Sequence, residues 1–593
     1  MQRIFKRMTA WAMALTMTVT MTVGAAAYND KDVITNTGVS LTAPQSLKVV
    51  SPAGGKATTT AAYYYITGTS NPDQSLTCDG SQVAAVGQFG SFGVYVPLAM
   101  GQNTFELSQN GSSVTVQINR VASASQLPVT TISNVRSMFP SYDVGGSTGD
   151  TITLSCTAPA GASVTATLGG RRIALNQVAA AATGVPASFR AEYTLPSAGS
   201  GTVNLGKVVY TLSYNGAVKD YTSAGAVFVA SDTLVVQSKG YAAMTYKTPI
   251  STVAGNYHEV LRSGTVDYVV DQTADMYKLS MGGWSKKELY TPVTGSPVYT
   301  GRASGAAMTA DAKTEVYSIS TKANPSFYAY VDADKAYVRL HNFSGLDSLP
   351  TGESALFSGA EVYQEGSSTV ITFARRAGAQ VWGYSIEYTD DATNIVFTKP
   401  PRLAGGSKPL SGITVALDPG HGGEDPGAIG PTGTTGPTEK DLNLATAIAV
   451  QNRLQSLGAK VIMTRTDDTN KSFDQRLTPA LEQRADFYIS LHHNSTVAGA
   501  DGTKPKGLEV YYFEPSSQGF ANKLNSKLVA YTGRSSRRVA RNVFRVTLNT
   551  YAPSVLVELG FMPNPVEYDL VRGKTSLFNT ANAIGDAIIE YLS

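Results

Sequence analysis

The sequence predicts a multidomain chain in which all-β modules precede a C-terminal α/β domain with a mainly parallel sheet. The first reason is length, because 593 residues exceed what one hydrophobic core organises. The second is that residues 44–402 form short alternating apolar runs separated by turn residues. The third is that beyond residue 412 apolar strands alternate with amphipathic segments, a pattern typical of βαβ units.

The overall composition excludes some classes of protein. Charged residues make up 15% of the chain and the net charge is +3, which does not favour nucleic-acid binding. The 31 tyrosines and 56 glycines are typical of β-modules with many turns. The two cysteines, Cys78 and Cys156, fall in different predicted modules, so we expect buried thiols rather than a disulfide.

The N-terminus has the layout of a secretory signal peptide over residues 1–27. Basic residues at the start are followed by the uncharged stretch Met8 to Asn29, in which Ala25-Ala26-Ala27 offers a cleavage site. An uncleaved transmembrane anchor is the alternative, but several threonines dilute the apolar run. We therefore expect an exported protein, secreted or held at the cell wall, with no membrane span after signal removal.

Two all-β modules are predicted over residues 44–121 and 128–232. Candidate strands are Ala61–Thr67, Gln82–Val86, Gly93–Leu98, Thr104–Leu107 and Val114–Ile118 in the first, and Thr151–Thr157, Ser163–Leu168, Ser188–Tyr193 and Val208–Ser213 in the second. The first module reads ITGTSNPDQSLTCDGSQV and GSFGVYVPLAMGQNTFEL, which resembles the small Ig-like modules of bacterial surface proteins. The second has the looser pattern of another Ig-like sandwich without an ionisable cluster, which indicates a spacer.

Residues 240–402 form a third β-rich region with more aromatic residues. Candidate strands are Val266–Val270, Met281–Leu289, Glu315–Ser320, Phe327–Val331, Ala336–Leu340, Val370–Phe373 and Tyr384–Tyr388. The segments LRSGTVDYVV and GGWSKKEL are similar to a small SH3-like barrel, and the later part is similar to a wall-targeting β-sandwich. Trp284 and Trp382 are interpreted as core or rim aromatics, with stacking on sugars as the alternative. His258 and His341 are interpreted as polar surface or edge residues.

A Pro- and Gly-rich linker, 403–411, leads into the α/β domain of residues 412–593. Predicted strands are Ile413–Leu417, Val461–Thr464, Phe487–Leu491, Leu508–Phe513 and Ser554–Leu559. Predicted helices are Glu439–Leu457, with Leu442, Ala445, Ala449 and Leu457 facing inward, Pro479–Arg484, Phe520–Tyr531 and a closing helix that buries Leu577, Ala581, Ile584, Ile588 and Tyr591.

Four residues of this domain are predicted to meet beyond the carboxyl ends of its strands. His421 follows the first strand, His492 and Glu558 end two later strands, and Glu439 lies in the first turn of the first helix. Two imidazoles and one carboxylate, with a fourth position left to water, are expected of a catalytic zinc site. A second carboxylate is then needed as acid and base, and we assign that role to Glu558.

Each of these residues also has to be weighed against a structural role, and His421 by itself could cap a turn. Glu439 is placed where a carboxylate interacts with the helix dipole. His492 and His493 are adjacent, and along a strand they point in opposite directions, so only one faces a metal. Glu558 ends an apolar run, and burial of an unpaired carboxylate costs free energy, which favours a functional role.

At four places in the domain the chain reads DPGHGGEDPGAIG, TEKDLNL, FYISLHHNS and PSVLVELGF. In order and spacing these segments resemble the zinc-dependent N-acetylmuramoyl-L-alanine amidases of the amidase-3 type, over residues 412–593. The resemblance implies one Zn²⁺ held by His421, Glu439 and His492, with Glu558 catalytic and His493 in a variable position. Asn494 is predicted to orient the site or contact substrate.

The activity that the resemblance implies is hydrolysis of peptidoglycan at the amide between the lactyl group of N-acetylmuramic acid and L-alanine. Zinc-activated water would attack with Glu558 as general base. A basic run from Arg534 to Arg545 precedes the last strand. We interpret it as a solvated helix or loop face, or as a contact for stem-peptide carboxylates made mainly by Arg545.

Two other functions fit the same residues. The first is a zinc peptidase that cuts within the stem peptide, because the same metal chemistry serves any amide. The second is a non-catalytic wall-binding protein, which the filled site positions disfavour. In all three cases we expect a monomer with peptidoglycan as partner.

Overall fold

The computed structural model describes residues 32–35, 38–41, 46–121, 132, 136–178, 187–240, 242–249, 257–295 and 301–593. The predicted signal peptide, 1–27, lies outside these residues. Of the helices within the described ranges, none has both the length and the apolar character needed to cross a bilayer.

The first module, residues 46–121, consists of two sheets around one core. Its three-stranded sheet contains Lys48–Ser51, Tyr63–Thr69 and Ser91–Pro97, and its five-stranded sheet contains Lys56–Thr59, Ser112–Arg120, Gly101–Gln109, Thr77–Cys78 and Ser81–Gln82. A hairpin of Asp32–Thr35 and Gly38–Leu41 precedes it. Ile66 of the first sheet and Leu107 of the second are both fully buried in this core. The all-β prediction is confirmed, and the Ig-like assignment stays a prediction.

The second module is a single eight-stranded sheet that folds onto its own core. Its strands are Arg136–Phe139, Val144–Ser147, Thr151–Ala158, Ser163–Leu168, Arg171–Gln177, Ala187–Thr194, Thr202–Tyr214 and Ala217–Ala230. Cys156 is buried here and Cys78 in the first module, and both thiols are free, as the sequence predicts.

The third region begins with a seven-stranded sheet. Its strands are Val235–Ser238, Ala242–Tyr246, Tyr257–Arg262, Val266–Gln272, Met276–Leu279, Trp284–Lys286 and Tyr290–Pro292. Val235–Ser238 pairs inside this sheet, so the unit begins before the predicted boundary at residue 240. The predicted strand Met281–Leu289 is wrong, because a turn at Gly282 precedes a shorter strand and a 3₁₀ turn, Lys287–Leu289, follows it.

The later part of this region has two four-stranded sheets and a short two-stranded one. Their strands are Gly301–Arg302, Gly305–Ala310, Thr314–Ser320, Phe327–Val331, Lys335–Leu340, Phe343–Ser344, Phe357–Glu365, Ser368–Arg375, Gly383–Tyr388 and Ala392–Thr398. One hydrophobic core joins them to the seven-stranded sheet, through residues such as Tyr277 and Phe397. The SH3-like and wall-targeting assignments stay predictions.

The tryptophans and histidines of this region are buried or half-buried, as expected of core or rim aromatics. Trp382 is a core residue, and its indole N–H donates to the Asp486 carbonyl of the α/β domain at 2.8 Å. His258 is partly buried and stacks on Tyr328 with ring centroids 5.3 Å apart. Burial lowers the pKa of His341 to about 4. Both histidines are half-buried, and His258 lies on the edge strand Tyr257–Arg262, in keeping with its interpretation as an edge residue.

The C-terminal domain is an α/β unit with a six-stranded sheet. In chain order its elements are β1 (Thr414–Pro419), α1 (Glu439–Ser456), β2 (Lys460–Met463), α2 (Phe473–Glu482), β3 (Phe487–Asn494), β4 (Leu508–Tyr512), α3 (Gln518–Thr532), β5 (Ser536–Arg541), β6 (Ser554–Phe561), α4 (Pro565–Val571) and α5 (Lys574–Leu592). The strand order is β2-β1-β3-β6-β4-β5, and all neighbours are parallel except β6 and β4. The predicted mainly parallel sheet is confirmed.

Three local expectations for this domain are wrong. Helix α2 begins at Phe473, because Ser472 and Gln475 form a capping box, and Pro479 lies inside it. The middle of the basic run, with Arg537, Arg538 and Arg541, lies on edge strand β5 rather than on a helix or loop face. Helix α1 buries Leu442, Asn443, Thr446, Ala447, Val450 and Leu454, so Ala445 and Ala449 lie only partly inward.

The C-terminal end of the predicted linker packs against the α/β domain. Leu410 is fully buried in the core of that domain, and its N–H donates to the Leu457 carbonyl at 2.9 Å. The preceding β-region also contacts the domain, since Thr398 donates to the Tyr551 carbonyl at 2.8 Å.

Candidate active site

The loop after β1 presents His421 in a left-handed backbone conformation, with φ of 61°. Its Nδ1 lies 2.7 Å from the Asp425 carboxylate and its Nε2 lies 3.2 Å from Oε1 of Glu439. Burial alone would lower the pKa of His421, but the Glu439 and Asp425 carboxylates raise it to about 9. Two carboxylates thus fix the orientation of this imidazole.

A buried ion pair holds the end of β1 in place. Asp418 is fully buried and accepts from Nη1 of Arg476 at 2.8 Å, and from the hydroxyl groups of Thr464 and Ser490. Burial opposes ionisation of Asp418, yet Arg476 and the hydroxyls keep its pKa below the usual value. Arg476 also donates to the His421 carbonyl at 2.9 Å, so the pair positions the loop that presents this histidine.

Glu439 is the first residue of α1 and lies between the two histidines. Its side chain is buried, with 4% of the residue exposed, and its Oε1 lies 3.0 Å from Nδ1 of His492. The Ala428 N–H donates to Oε2 at 2.7 Å. Burial opposes the charge, but hydrogen bonds to His421 and His492 hold the pKa of Glu439 well below its usual value.

The two adjacent histidines of β3 point in opposite directions, as the period of a strand requires. His492 faces Glu439, whereas His493 is buried against Asn443, with 2.7 Å between Nδ1 and Oδ1. Burial lowers the pKa of His493 to about 3, so this ring stays neutral. Gly420 gives His492 its space, because a Cβ there would lie 2.1 Å from the imidazole Cε1.

The structure therefore brings together His421, Glu439 and His492, whose ligand atoms all lie within 4.8 Å of one another. Two imidazole nitrogens and a carboxylate oxygen are a donor set that suits zinc. Asp425 supports His421, and the Ala428 N–H supports Glu439, as the partners of metal ligands do. The residues present fit a bound zinc ion.

Glu558 lies on β6 directly beside His492, because the two are partners in the parallel register of β6 and β3. Among the described residues its Oε2 has no hydrogen-bond partner although it is buried. Burial raises the pKa of the Glu558 carboxyl to about 7, with Glu439 and Glu509 adding to the shift and His492 opposing it. This carboxyl can therefore gain and lose a proton near neutral pH.

Sequence reasoning missed Glu509 on β4. It is 3% exposed, is the register partner of Glu558, and accepts from Asn494 at 2.7 Å and from the Tyr511 hydroxyl at 2.6 Å. The acidic residue in an otherwise apolar strand, LEVYY, was the available signal. Asn494 thus belongs to the site region but contacts Glu509.

The structure places Arg545 on the 3₁₀ turn Arg545–Thr547, with its guanidinium 5.7 Å from the centre of the Phe473 ring. This contact lies at the start of α2, not at the histidine cluster. Arg537 and Arg538 of the same basic run reach Glu509 instead, at 2.6 and 3.1 Å. A role of Arg545 in substrate binding stays a prediction.

The first β-module borders the site on the side of α4. Tyr65 donates to the Pro563 carbonyl at 2.8 Å, shortly after β6, and Tyr95 donates to the Gly499 carbonyl at 3.0 Å, shortly after β3. Asp569 of α4 is fully buried and accepts the N–H groups of Phe89 and Ser91 at 2.8 and 3.2 Å. This module thus contacts loops that follow two strands of the site.

The similarity of this chain to known proteins lies in its C-terminal α/β domain. Residues 415–590 match the family described as N-acetylmuramoyl-L-alanine amidase, Amidase_3. The Bacillus subtilis protein YqiI is 36% identical over 185 residues, which cover 31% of this chain and 87% of YqiI. The N-acetylmuramoyl-L-alanine amidase LytC of Bacillus subtilis is 34% identical over 187 residues, 31% of this chain and 36% of LytC.

Among solved structures, the catalytic domain of CwlV, an N-acetylmuramoyl-L-alanine amidase from Bacillus (Paenibacillus) polymyxa var. colistinus, is 33% identical. The match covers 30% of this chain and 98% of the CwlV domain, with a TM-score of 0.28. At 36% identity the chain covers 87% of the length of YqiI. It belongs to the Amidase_3 family of N-acetylmuramoyl-L-alanine amidases.

Proposed function

We propose that the protein is an exported peptidoglycan hydrolase that cleaves the amide between the lactyl group of N-acetylmuramic acid and L-alanine. The observation that carries this proposal is the cluster of His421, Glu439 and His492 beside Glu558, whose buried Oε2 has no partner among the described residues. A buried polar atom without a hydrogen-bond partner lowers the stability of a fold, and it is expected where a substrate or water binds.

The cofactor of the proposal is one zinc ion per catalytic domain, held by His421, Glu439 and His492. A bound zinc ion supplies a Lewis acid that polarises the scissile carbonyl and acidifies water. A hydrogen bond between His421 and Asp425 and one from the Ala428 N–H to Glu439 orient these two ligands.

Glu558 is the proposed general base and acid. Its carboxyl, with a pKa of about 7, takes a proton from the attacking water and later returns it to the nitrogen of L-alanine. The carbonyl carbon gains the oxygen of water, the carbon–nitrogen bond breaks, and the stem peptide leaves with a free amine. Burial of Glu558, with the Glu439 and Glu509 carboxylates nearby, is the physical cause of the raised pKa that this exchange requires.

The proposed location is the cell wall or the medium, after removal of residues 1–27, and the proposed state is a monomer. LytC is named as an N-acetylmuramoyl-L-alanine amidase and LytH of Staphylococcus aureus as a probable cell wall amidase, which supports a wall substrate. The β-modules before residue 403 are proposed to hold the enzyme at peptidoglycan.

Product analysis tests the reaction. The full mature chain is incubated with purified peptidoglycan, and soluble products are identified by mass spectrometry and N-terminal labelling. Release of intact stem peptides with an N-terminal L-alanine is expected. Fragments cut within the peptide would identify a peptidase instead. If zinc-loaded protein gave no product, the protein would be a non-catalytic wall-binding protein.

Two variants separate metal binding from proton transfer. His421→Ala is expected to lose both zinc, measured by atomic emission, and hydrolysis. Glu558→Gln is expected to keep zinc but to lower kcat by about 10²- to 10⁴-fold, the usual contribution of a general base. Unchanged hydrolysis by Glu558→Gln would refute the assigned role.

A further inference from the structure

Four consecutive strands of the sheet bring polar residues into one row beside the candidate site. His492 of β3 is the register partner of Glu558 of β6, Glu558 is that of Glu509 of β4, and Glu509 is that of Arg538 of β5. Register partners on adjacent strands place their side chains on the same face, about 5 Å apart. The row therefore leads from the histidine cluster to the edge of the sheet.

A β-bulge adds a second arginine to the end of this row. The pairing of β4 with β5 runs from Leu508 with Ser536 to Glu509 with Arg538, so that Arg537 is an extra residue. Consecutive side chains of a regular strand point to opposite faces, and a bulge removes that restriction. As a result, the Nε atoms of Arg537 and Arg538 both approach Oε1 of Glu509, at 2.6 and 3.1 Å.

The charges of this group do not cancel. One buried carboxylate, Glu509, faces two guanidinium groups, which leaves a net positive charge at the edge of the sheet. The side chains of Arg537 and Arg538 are 41% and 49% exposed, so they are accessible to a ligand. Each guanidinium has five N–H donors, and the contact through Nε uses one of them.

We propose that Arg537 and Arg538 bind a carboxylate in the peptide part of the substrate, with Glu509 as the residue that positions them. Arginine pairs are suited to carboxylates because their planar N–H groups match the two oxygens. The proposal rests on the proposed amidase function. In that substrate the carboxyl of the lactyl group is consumed in the scissile amide, so free carboxylates belong to the stem peptide.

The spacing of the sheet fits this assignment. Strand β5 is two strands away from β6, which corresponds to about 10 Å across a sheet. An extended peptide covers about 3.5 Å per residue, so the arginines lie about three residues from the scissile bond. Arg537 and Arg538 therefore select for negative charge in the first few residues on the leaving-group side.

The test compares two soluble muramoyl peptides that differ only in their peptide carboxylates, which are free in one and converted to carboxamides in the other. The full mature chain with zinc is expected to show a lower KM for the free-carboxylate substrate. The double variant Arg537→Gln, Arg538→Gln is expected to raise that KM about tenfold, the size expected of a charge-assisted contact that is partly exposed. Its KM for the carboxamide substrate and its kcat for both stay within about twofold.

Three further measurements complete the design. The conservative double variant with lysine at both positions restores part of the preference, because it keeps the charge without the planar fork. Arg402→Gln, at an exposed position just before the linker, is the matched control and leaves both KM values unchanged. The preference also weakens at high ionic strength, since the contact is partly exposed.

The outcomes separate this proposal from the proposed function. Equal KM values of the wild-type chain for the two substrates would overturn the carboxylate site, and this result does not depend on whether a variant folds. An equal loss on both substrates in the glutamine variant would show a structural role instead. Failure of the wild-type chain to hydrolyse either substrate would count against the amidase function itself, and with it against this proposal.

Discussion

Glu558 and Glu509 lie directly opposite each other on the antiparallel strands β6 and β4. Two carboxyl groups on one face at this spacing repel each other when both are charged. Arg537 and Arg538 form ion pairs with Glu509, whereas burial raises the pKa of Glu558 to about 7. The pair thus combines a charged carboxylate and one that exchanges protons near neutral pH, within one row of the sheet.

Replacement of Glu509 by glutamine tests this relationship. Glu509→Gln removes the acceptor that orients Arg537, Arg538 and Asn494, and we expect kcat/KM on peptidoglycan to fall about 10- to 100-fold, as for other residues that support an active site. Bound zinc stays at the wild-type amount, because no contact of Glu509 involves His421, Glu439 or His492. Steady-state kinetics and atomic emission measure the two effects.

The control for this variant is Glu361→Gln, which alters an exposed glutamate on a strand of the third β-region. It is expected to retain wild-type kinetics. Activity of Glu509→Gln within twofold of wild type would show that the row of polar residues is not needed for hydrolysis.

Gly420→Ala tests the space available to His492. The added Cβ would lie 2.1 Å from the imidazole, and the backbone at Gly420 cannot retreat because its N–H donates to the Leu491 carbonyl at 3.0 Å. We expect His492 to be displaced, and zinc affinity or activity to fall about 10- to 100-fold while the far-UV circular dichroism is unchanged.

Gly359→Ala is the matched control, because nothing lies within 4 Å of the Cβ that it adds. It should bind zinc as the wild type does. Full zinc binding by Gly420→Ala, with wild-type hydrolysis, would contradict the packing argument.

Asp569→Ala tests the contact between the first β-module and the catalytic domain. The buried carboxylate accepts from Phe89, Ser91 and Arg572, so its removal leaves Arg572 buried without its carboxylate and two backbone N–H groups without an acceptor. Loss of one partner from a buried pair costs about 3–5 kcal/mol of unfolding free energy. Urea denaturation followed by fluorescence measures the change.

Asp73→Ala, at an exposed position of the same module, is the control and is expected to lie within about 0.5 kcal/mol of wild type. Limited proteolysis provides a second readout. If the first module is not released faster from Asp569→Ala than from the wild type, the contact does not hold the two units together.

The stability of the chain is expected to fall as pH rises between about 4.5 and 8 because of Glu259. This buried carboxyl accepts the N–H groups of Val260 and Ala329 at 2.8 Å each, and burial raises its pKa from 4.5 to about 8, with Glu514 adding to the shift. The folded chain therefore retains a proton that the unfolded chain releases. One such group changes the unfolding free energy by at most about 1.4 kcal/mol per pH unit.

The measurement compares thermal unfolding of the wild type and Glu259→Gln from pH 5 to pH 8. Glutamine stays neutral, so the variant should lose stability less steeply with rising pH. Since other groups titrate equally in both proteins, the difference between the two curves isolates Glu259. Parallel curves would mean that Glu259 is already ionised in the folded chain at low pH.

Much of the candidate site follows from local sequence. Residues at the ends of parallel strands meet at one edge of a sheet, so the positions of His421, His492 and Glu558 in the chain predict their proximity. Strand periodicity also predicts that His492 and His493 point in opposite directions, although the choice between them required either the family resemblance or the structure.

Other parts depend on pairings that no local pattern encodes. The sequence favours Arg545 of the basic run as a substrate contact, but Arg545 lies on a turn beside Phe473. Arg537 and Arg538 instead lie on an edge strand that pairs with β4. Helix α2 begins six residues before the predicted Pro479, at Phe473, because its capping box outweighs the proline in its interior.

The sequence by itself determined the α/β domain, the all-β modules before it and the four residues that converge at the strand ends. These features depend on periodicity and short motifs, which act over a few residues. Only the tertiary structure decided that Glu509 faces Glu558, that a bulge joins two arginines to it, and that the first module contacts the loops of the site. Those contacts depend on strand register and on packing between segments hundreds of residues apart, as between Tyr65 and Pro563, where no local pattern constrains the partner.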